Sequence, residues 1–349
     1  MIISTNSPGR SVSRPAVNSG GSILITALWS VLLLSAFAVI IGAQARYEAT
    51  LVKRLDRKTQ LRFIAEAGVM TAIGQLEKES GNSYHCLTDS WSDNEKYLKG
   101  IDAGEGVFDV CYDAAYGASG VGQTVYGLVD EERKININTA DKSVLRRLLR
   151  GALDIGEDKA QGIAASIEDW RDADEELSVP VGSAESMYYH GLVDPYASKN
   201  AAFDLEEELL LVRDVDREIF ENIRGYITVY GSGMVNINTA PRQVLLAVGL
   251  DGRMADGILS FRKGKDGMTG TPDDGIFEST AVILPKMSQY MKMSPSDVSR
   301  VSAAVERYIT VGSTAFRIRS VATAKNGKDK FTAVSVVDKE GKVLCWQES

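Results

Sequence analysis

Residues 21–43 read Gly-Ser-Ile-Leu-Ile-Thr-Ala-Leu-Trp-Ser-Val-Leu-Leu-Leu-Ser-Ala-Phe-Ala-Val-Ile-Ile-Gly-Ala and contain no charged side chain. About 20 apolar residues of α-helix cross a bilayer core. Inside it only a helix or a closed barrel satisfies its own backbone hydrogen bonds, so a lone run of this length is expected to be a membrane-spanning helix. Arg46 opens a charged segment with no turn signal before Gly81-Asn82-Ser83. The helix is therefore expected to continue unbroken to about residue 80. In the first 21 residues the charged side chains are Arg10 and Arg14. The positive-inside bias puts that end in the cytoplasm and everything after Arg46 outside. A signal peptide is the rival reading. Its apolar region is usually ~7–15 residues and is cut on the far side. Here the run is longer, and Ile41-Gly42-Ala43-Gln44-Ala45 is only a weak Ala-x-Ala-like site. The small pair Gly20-Gly21 lies on the cytoplasmic side instead.

Beyond the run, Leu51, Leu55, Phe63, Ala67, Met70 and Ile73 recur at helical spacing on one face. Lys53, Arg54, Arg57, Lys58 and Arg62 make the early part of this stretch basic, as a solvated face or as an attraction to lipid headgroups. Short alternating runs at 106–112 and 124–129 read as strands, and so do 316–322, 331–337 and 342–346. Asn326-Gly327 and Glu340-Gly341 supply hairpin turns between the late ones. The fold class expected is α+β: a long N-terminal helix packed on one antiparallel sheet, with a large, mostly helical insertion between the sheet halves. The expected boundaries are 1–21 leader, 22–80 helix, 81–130 and 313–349 sheet, and 131–312 insertion.

The insertion carries an internal repeat. Ile135-Asn136-Ile137-Asn138-Thr139-Ala140 returns as Val235-Asn236-Ile237-Asn238-Thr239-Ala240, each followed two residues later by a helical pattern. Thr139 and Thr239 are N-cap candidates, and Pro241 suits a first helical turn. Two related units are expected, about 135–180 and 235–310, with 203–226 between them. Asn-x-Asn-Thr-Ala also opens helix-hairpin-helix DNA-binding modules, which makes a membrane-anchored DNA receptor the competing function. Such a module needs backbone amides and basic residues at its hairpin. Asp154-Ile155-Gly156-Glu157-Asp158 has one glycine and three acids, and Val248-Gly249-Leu250-Asp251-Gly252 lies beside further acids. DNA affinity depends on phosphate neutralisation. A formal net charge of -8 opposes it, so no nucleic acid is expected as a partner.

Three cysteines, Cys86, Cys111 and Cys345, allow three pairings. An exported location permits a disulfide. Cys86–Cys111 is the first choice, and three reduced, buried thiols are the alternative. His85 and His190 have no nucleophile or metal-ligand spacing around them, and neither a nucleophile elbow nor a phosphate-binding loop is present. No enzyme is expected. The acids cluster, however. Glu168-Asp169-Trp170-Arg171-Asp172-Ala173-Asp174-Glu175-Glu176 closes a helix that begins near Asp158, and Glu185 follows in a loop. Carboxylates at a helix C-terminus face the negative end of its dipole unless a cation relieves them. Hard oxygen ligands without His or Cys indicate Ca²⁺. Asp266, Asp273 and Asp274, in the Asp- and Gly-rich loop 265–275, form a second candidate, lacking the bidentate Glu of an EF-hand.

A short basic leader, a glycine and a hydrophobic helix running into an amphipathic one resemble the prepilin signature of type IV pilins and type II secretion pseudopilins. With the cut after Gly21 the mature chain begins at Ser22; a cut after Gly20 is the alternative. The fifth mature residue is then Thr26, where most of the family has Glu, an absence that resembles the K-type minor pseudopilins. Asp169–Asp174, then Glu185 ahead of Tyr188-Tyr189, then Lys199-Asn200 and 208–213, are similar to that family's helical domain. The resemblance implies structural calcium held by Asp169, Asp172, Asp174 and Glu185, with Asn200. Arg171 and Ser186 depart from the family's usual apolar and acidic residues. It further implies a single-pass protein of a bacterial inner membrane whose bulk is periplasmic. A prepilin peptidase would cut and methylate it. Minor pseudopilins I and J and inner-membrane lipid would be its partners, and its place would be the pseudopilus tip, where assembly for protein export starts. A minor pilin of a type IV pilus is the narrower alternative.

Overall fold

The computed structural model describes residues 9, 19–79, 81–113, 124–153 and 155–349. Arg10 and Arg14 of the expected leader lie outside the described residues. Two compact units are present, one ending at Thr59 and the other running from Gln60 to Ser349. Helix α1 (Ser19–Glu77) has no break, as the lack of turn signals implied. Its apolar part is long enough to cross a membrane and is not buried by protein. The hydroxyl of Thr26 lies 2.9 Å from the carbonyl of Ile23 and 3.1 Å from that of Ser22. It is satisfied inside the helix and needs no partner chain, unlike a carboxylate at that depth.

In the second unit the last turns of α1 bury Leu61, Ile64, Ala65, Val69, Ala72, Ile73 and Leu76 against a sheet. Of the stripe expected from the sequence only Ile73 is buried; Phe63, Ala67 and Met70 are exposed. Two apolar stripes run side by side here, and Gly68 selects one. A Cβ at Gly68 would sit 2.2 Å from Ser320 Oγ and 3.0 Å from the Phe108 ring. The helix approaches the sheet where it has no side chain. After α1 come α2 (Glu95–Leu98), β1 (Ile101–Asp102), β2 (Gly106–Val110), β3 (Tyr112–Asp113), β4 (Thr124–Val125) and β5 (Val129–Asp130). The single strand expected at 124–129 is thus two. Gly127 passes so close to the loop below that a Cβ there would lie 1.8 Å from the carbonyl oxygen of Ser92, and the chain turns at that point.

A 3₁₀ turn (Glu131–Arg133) leads into the insertion. The first repeat opens β6 (Ile135–Asn136), followed by α3 (Lys142–Ala152), α4 (Glu157–Arg171), α5 (Ser186–His190), a 3₁₀ turn (Glu206–Leu211), α6 (Arg217–Ile223) and β7 (Ile227–Thr228). The second opens β8 (Val235–Asn236), followed by α7 (Arg242–Ala247), α8 (Gly252–Arg262), α9 (Thr280–Tyr290), α10 (Pro295–Arg307) and β9 (Ile309–Thr310). β6 pairs in parallel with β7, and β8 in parallel with β9. A parallel pair requires a long crossover, so each unit closes only on its last strand. The first unit therefore extends from 135 to 228 and takes in 203–226, rather than ending near 180. The helices also start later than expected, with Asp141 and Pro241 rather than the threonines at the cap positions.

The repeated asparagines explain the motif. Asn138 exchanges two hydrogen bonds with the backbone of Phe203, accepting from its N–H at 2.7 Å and donating to its carbonyl at 3.0 Å. Asn238 does the same with Phe277, at 2.9 Å and 2.9 Å. Arg171 donates to the carbonyls of Ile137 and Ala140, and Arg262 to those of Ile237 and Ala240. Arg171 is thus the counterpart of Arg262. Both units share one hydrophobic core.

The chain returns through β10 (Ala315–Ala324), β11 (Lys330–Asp338) and β12 (Val343–Glu348). The antiparallel sheet runs β1-β2-β10-β11-β12, with β5 also on β10. Three consecutive buried acids join sheet to insertion. Asp130 accepts from Thr239 Oγ1 and Asn236 Nδ2 of the second unit. Glu131 accepts from Thr228 of the first unit and from Lys134 and Arg317. Glu132 accepts from the N–H of Ser232, between the units, and from those of Thr314 and Ala315 at the start of β10.

The expected Cys86–Cys111 disulfide is not formed; all three cysteines are free. The Cys86 thiol donates to Asp89, while Cys111 lies beside the Arg319 guanidinium. Burial pushes the Cys86 thiol up to about 11, so it stays protonated.

Candidate metal centre

Helix α4 ends at Arg171, and the chain turns back through 172–185 before α5. Asp169, on the last turn, is fully buried. Its Oδ1 accepts from the N–H of Ser178 at 3.0 Å, and its Oδ2 has no partner among the described residues. The N–H of Asp172 still closes the helix on Glu168, and its Oδ1 is also without a partner. Asp174 Oδ1 accepts from the N–H of Glu176 at 2.8 Å. Glu185, 3% exposed, accepts from Ser198 through Oε2 and leaves Oε1 alone. Carboxylate oxygens of Asp172, Asp174 and Glu185 all lie within 4.8 Å of one another.

Asn200 lies beside this group. Its N–H donates to the carbonyl of Trp170 at 3.0 Å. Its backbone has φ 49°, a left-handed conformation that asparagine tolerates better than most residues. The amide nitrogen donates to Glu175 Oε1 at 2.9 Å and to the carbonyl of Asp174 at 3.3 Å. That fixes which end of the amide is the oxygen, and the oxygen is buried without a partner among the described residues. Glu175 also accepts from Ser186. Glu175, Ser186 and Ser198 thus act as supports, a role the sequence did not assign to them. Serines in a loop carry no ligand signature, and their role is visible only once 175 and 198 are brought together.

Buried oxygens of like charge raise one another's pKa. Burial, and then the charges of Asp169 and Asp172, push the Glu185 carboxyl up to about 7. Burial, and then Asp174 and Asp169, raise Asp172 as well. A buried polar atom without a partner is costly. Here four unpartnered oxygens come from the residues that the sequence named as cation ligands. Carboxylate and amide oxygens with no nitrogen or sulfur suit Ca²⁺.

The second candidate differs. Asp273 accepts from the N–H groups of Lys265 and Asp266, Asp274 from that of Gly270, and Asp266 from that of Met268. Thr271 donates to Asp273 at 2.8 Å, and this bond, followed by the one from Lys265, holds the Asp273 carboxyl below its ordinary value. These carboxylates close their own loop. The duplication shows the contrast. Counting from the paired Arg171 and Arg262, the places of Asp169, Asp172 and Asp174 are taken by Ser260, Lys263 and Lys265 in the second unit.

Comparisons with known proteins fall on the same part of the chain. Residues 125–232, which contain the first unit and its acidic group, match the family model described as "Type II secretion system (T2SS), protein K". Type II secretion system protein K of Aeromonas hydrophila is 28% identical over 201 residues, covering 57% of this chain and 56% of that protein. The chain thus matches just over half the length of this curated relative. A chain in the crystal structure of the GspK-GspI-GspJ complex from the enterotoxigenic Escherichia coli Type 2 Secretion System has a TM-score of 0.64 at 16% identity, covering 85% of this chain and 99% of that one. At that identity the likeness is one of fold.

Proposed function

We propose that this chain, which carries a type II secretion system protein K domain over residues 125–232, acts as a K-type minor pseudopilin. The observation that carries the reading is the architecture. A pilin-type sheet packed on the end of α1 is interrupted by the duplicated helical units, and the domain match falls on the first of them. The apolar part of α1 anchors the chain in the inner membrane with the bulk of the protein in the periplasm. A prepilin peptidase removes the leader after Gly21, or after Gly20. The chain then joins minor pseudopilins I and J, the kind of assembly named for the solved complex, and starts a pseudopilus for protein export. An insertion with its own core suits a place that is filled once, at the tip of the fibre, rather than at each repeat along it.

Calcium belongs to this reading as a structural ion. Asp169, Asp172, Asp174, Glu185 and Asn200 would hold it, and it would supply positive charge that offsets the repulsion among them. The surrounding residues aim the ligands, Glu175 through Asn200 and Ser198 through Glu185. Nothing in this reading calls on DNA.

Mass spectrometry of the chain from cells with and without active prepilin peptidase tests the proposal. A methylated N-terminus at Ser22 or Gly21, appearing only with the peptidase, is the expected result. An intact Met1 in both would overturn it.

A further inference from the structure

We infer that the crevice between the outer face of the sheet and the first helical unit is a binding site for a small oxyanion, a carboxylate or a phosphate. The cavity measures about 380 Å³, within the size range of small-ligand sites. Five cationic side chains line it from three elements: Arg133 and Lys134 beside the 3₁₀ turn, Arg224 at the end of α6, and Arg317 and Arg319 on β10. Asp113, Glu206 and Glu207 are the acids of the lining. Arg317 and Arg319 project from the face of β10 opposite Phe316 and Ile318, which pack with α1.

Some of these charges are already matched. Glu131 is shared by Lys134 and Arg317, Glu206 also pairs with Arg317, and Arg224 pairs with Glu221. Two guanidiniums, Arg133 and Arg319, and two exposed acids of the lining, Asp113 and Glu207, make no ion pair among the described residues. Arg133 is 7% exposed, bonds the Tyr112 hydroxyl, and has no partner at Nε among the described residues. Arg319 has the Cys111 sulfur at 3.9 Å. Residues 114–123 contain no acidic side chain, so their sequence offers no counter-ion. Arg133 faces the charge of buried Asp130 without bonding it, and a buried guanidinium with no bonded carboxylate is unfavourable. Planar guanidinium forks are the side chains best matched to carboxylate or phosphate oxygens. The oxygens can belong to a free anion or to an acidic side chain of another protein.

Thermal unfolding of the detergent-solubilised full chain tests this. Succinate, inorganic phosphate and a glutamate-rich hexapeptide are titrated against sodium chloride at matched ionic strength. EGTA is present throughout, so that the cation site does not contribute. At least one anion should raise the midpoint saturably, by about 3 °C at a large excess over its dissociation constant. Arg319→Gln, at an exposed position, should unfold at the wild-type midpoint in chloride and lose that rise. Saturation by succinate or phosphate identifies a free anion as the source, and saturation by the peptide alone identifies an acidic protein segment. The site would be disproved if no anion exceeded the chloride control up to about 10 mM, or if Arg319→Gln kept the full response.

Discussion

Glu185, in the group proposed to hold calcium, is the residue at which cation and proton would compete. Its carboxyl is raised from an ordinary 4.5 to about 7 by burial and by Asp169 and Asp172. Without a cation, ionising it opposes folding. The stability tied to its neutral form is full below pH 4.5 and lost as the pH rises through about 7. A cation needs the ionised form, so its affinity should fall about tenfold per pH unit below 7. Calorimetric Ca²⁺ titration of wild type and Glu185→Gln at several pH values checks this. The variant should bind at least about tenfold more weakly and lose most of the pH slope. Asn238 makes a different kind of residue-scale contribution. Replacing it with alanine leaves the N–H and carbonyl of Phe277 without their side-chain partner in the core. Asn238→Ala should lose about 2–3 kcal/mol in urea denaturation.

Among the elements, α1 meets the sheet through a glycine and leaves another glycine free. Gly68 has Ser320 and Phe108 where a Cβ would go, whereas Gly74 has nothing within 4 Å. Gly68→Ala should destabilise by about 1–3 kcal/mol through overpacking. Gly74→Ala, in the same helix, should stabilise by about 0.5–1 kcal/mol. The two midpoints should move in opposite directions, and a common shift would show that helix propensity, not approach to the sheet, governs both. The spans of α1 and of the long strands were legible because period and turn chemistry are local. The packing face of α1 was not, since Leu61, Ile64 and Val69 compete with Phe63, Ala67 and Met70 at the same spacing. Nor was the end of the first repeat, since a two-residue parallel strand has no signature apart from its distant partner.

For the molecule as a whole, the junction at residues 130–132 holds insertion and sheet together. Burial alone would raise the Glu131 carboxyl, but the charges of Arg317 and Lys134 outweigh it and pull it down to about 2. Its contribution is present above pH 4.5 and lost as the pH falls through about 2. Glu131→Ala leaves Arg317 and Lys134 without their shared carboxylate and should cost about 3–5 kcal/mol, measured by denaturant unfolding at neutral pH. An effect below about 1 kcal/mol would mean that the sheet and the helical units do not depend on this link.

What the sequence determined alone were the features set by neighbours along the chain. These are an uncharged run long enough to span a bilayer, strands and hairpins marked by alternation and glycine, a motif repeated a hundred residues on, and oxygen donors gathered between Asp169 and Asn200. Tertiary structure decided what depends on distant residues meeting. It turned Asp130-Glu131-Glu132, which carry no signal of burial in the sequence, into a buried joint by bringing up Arg317, Thr228 and Thr239. It also gave Cys86 and Cys111 different neighbours, Asp89 and Arg319, and it gave the loop acids at 266, 273 and 274 to their own backbone. Local chemistry fixes which groups a chain offers; whether each is spent on water, on backbone or on another side chain is settled only by what the fold puts beside it.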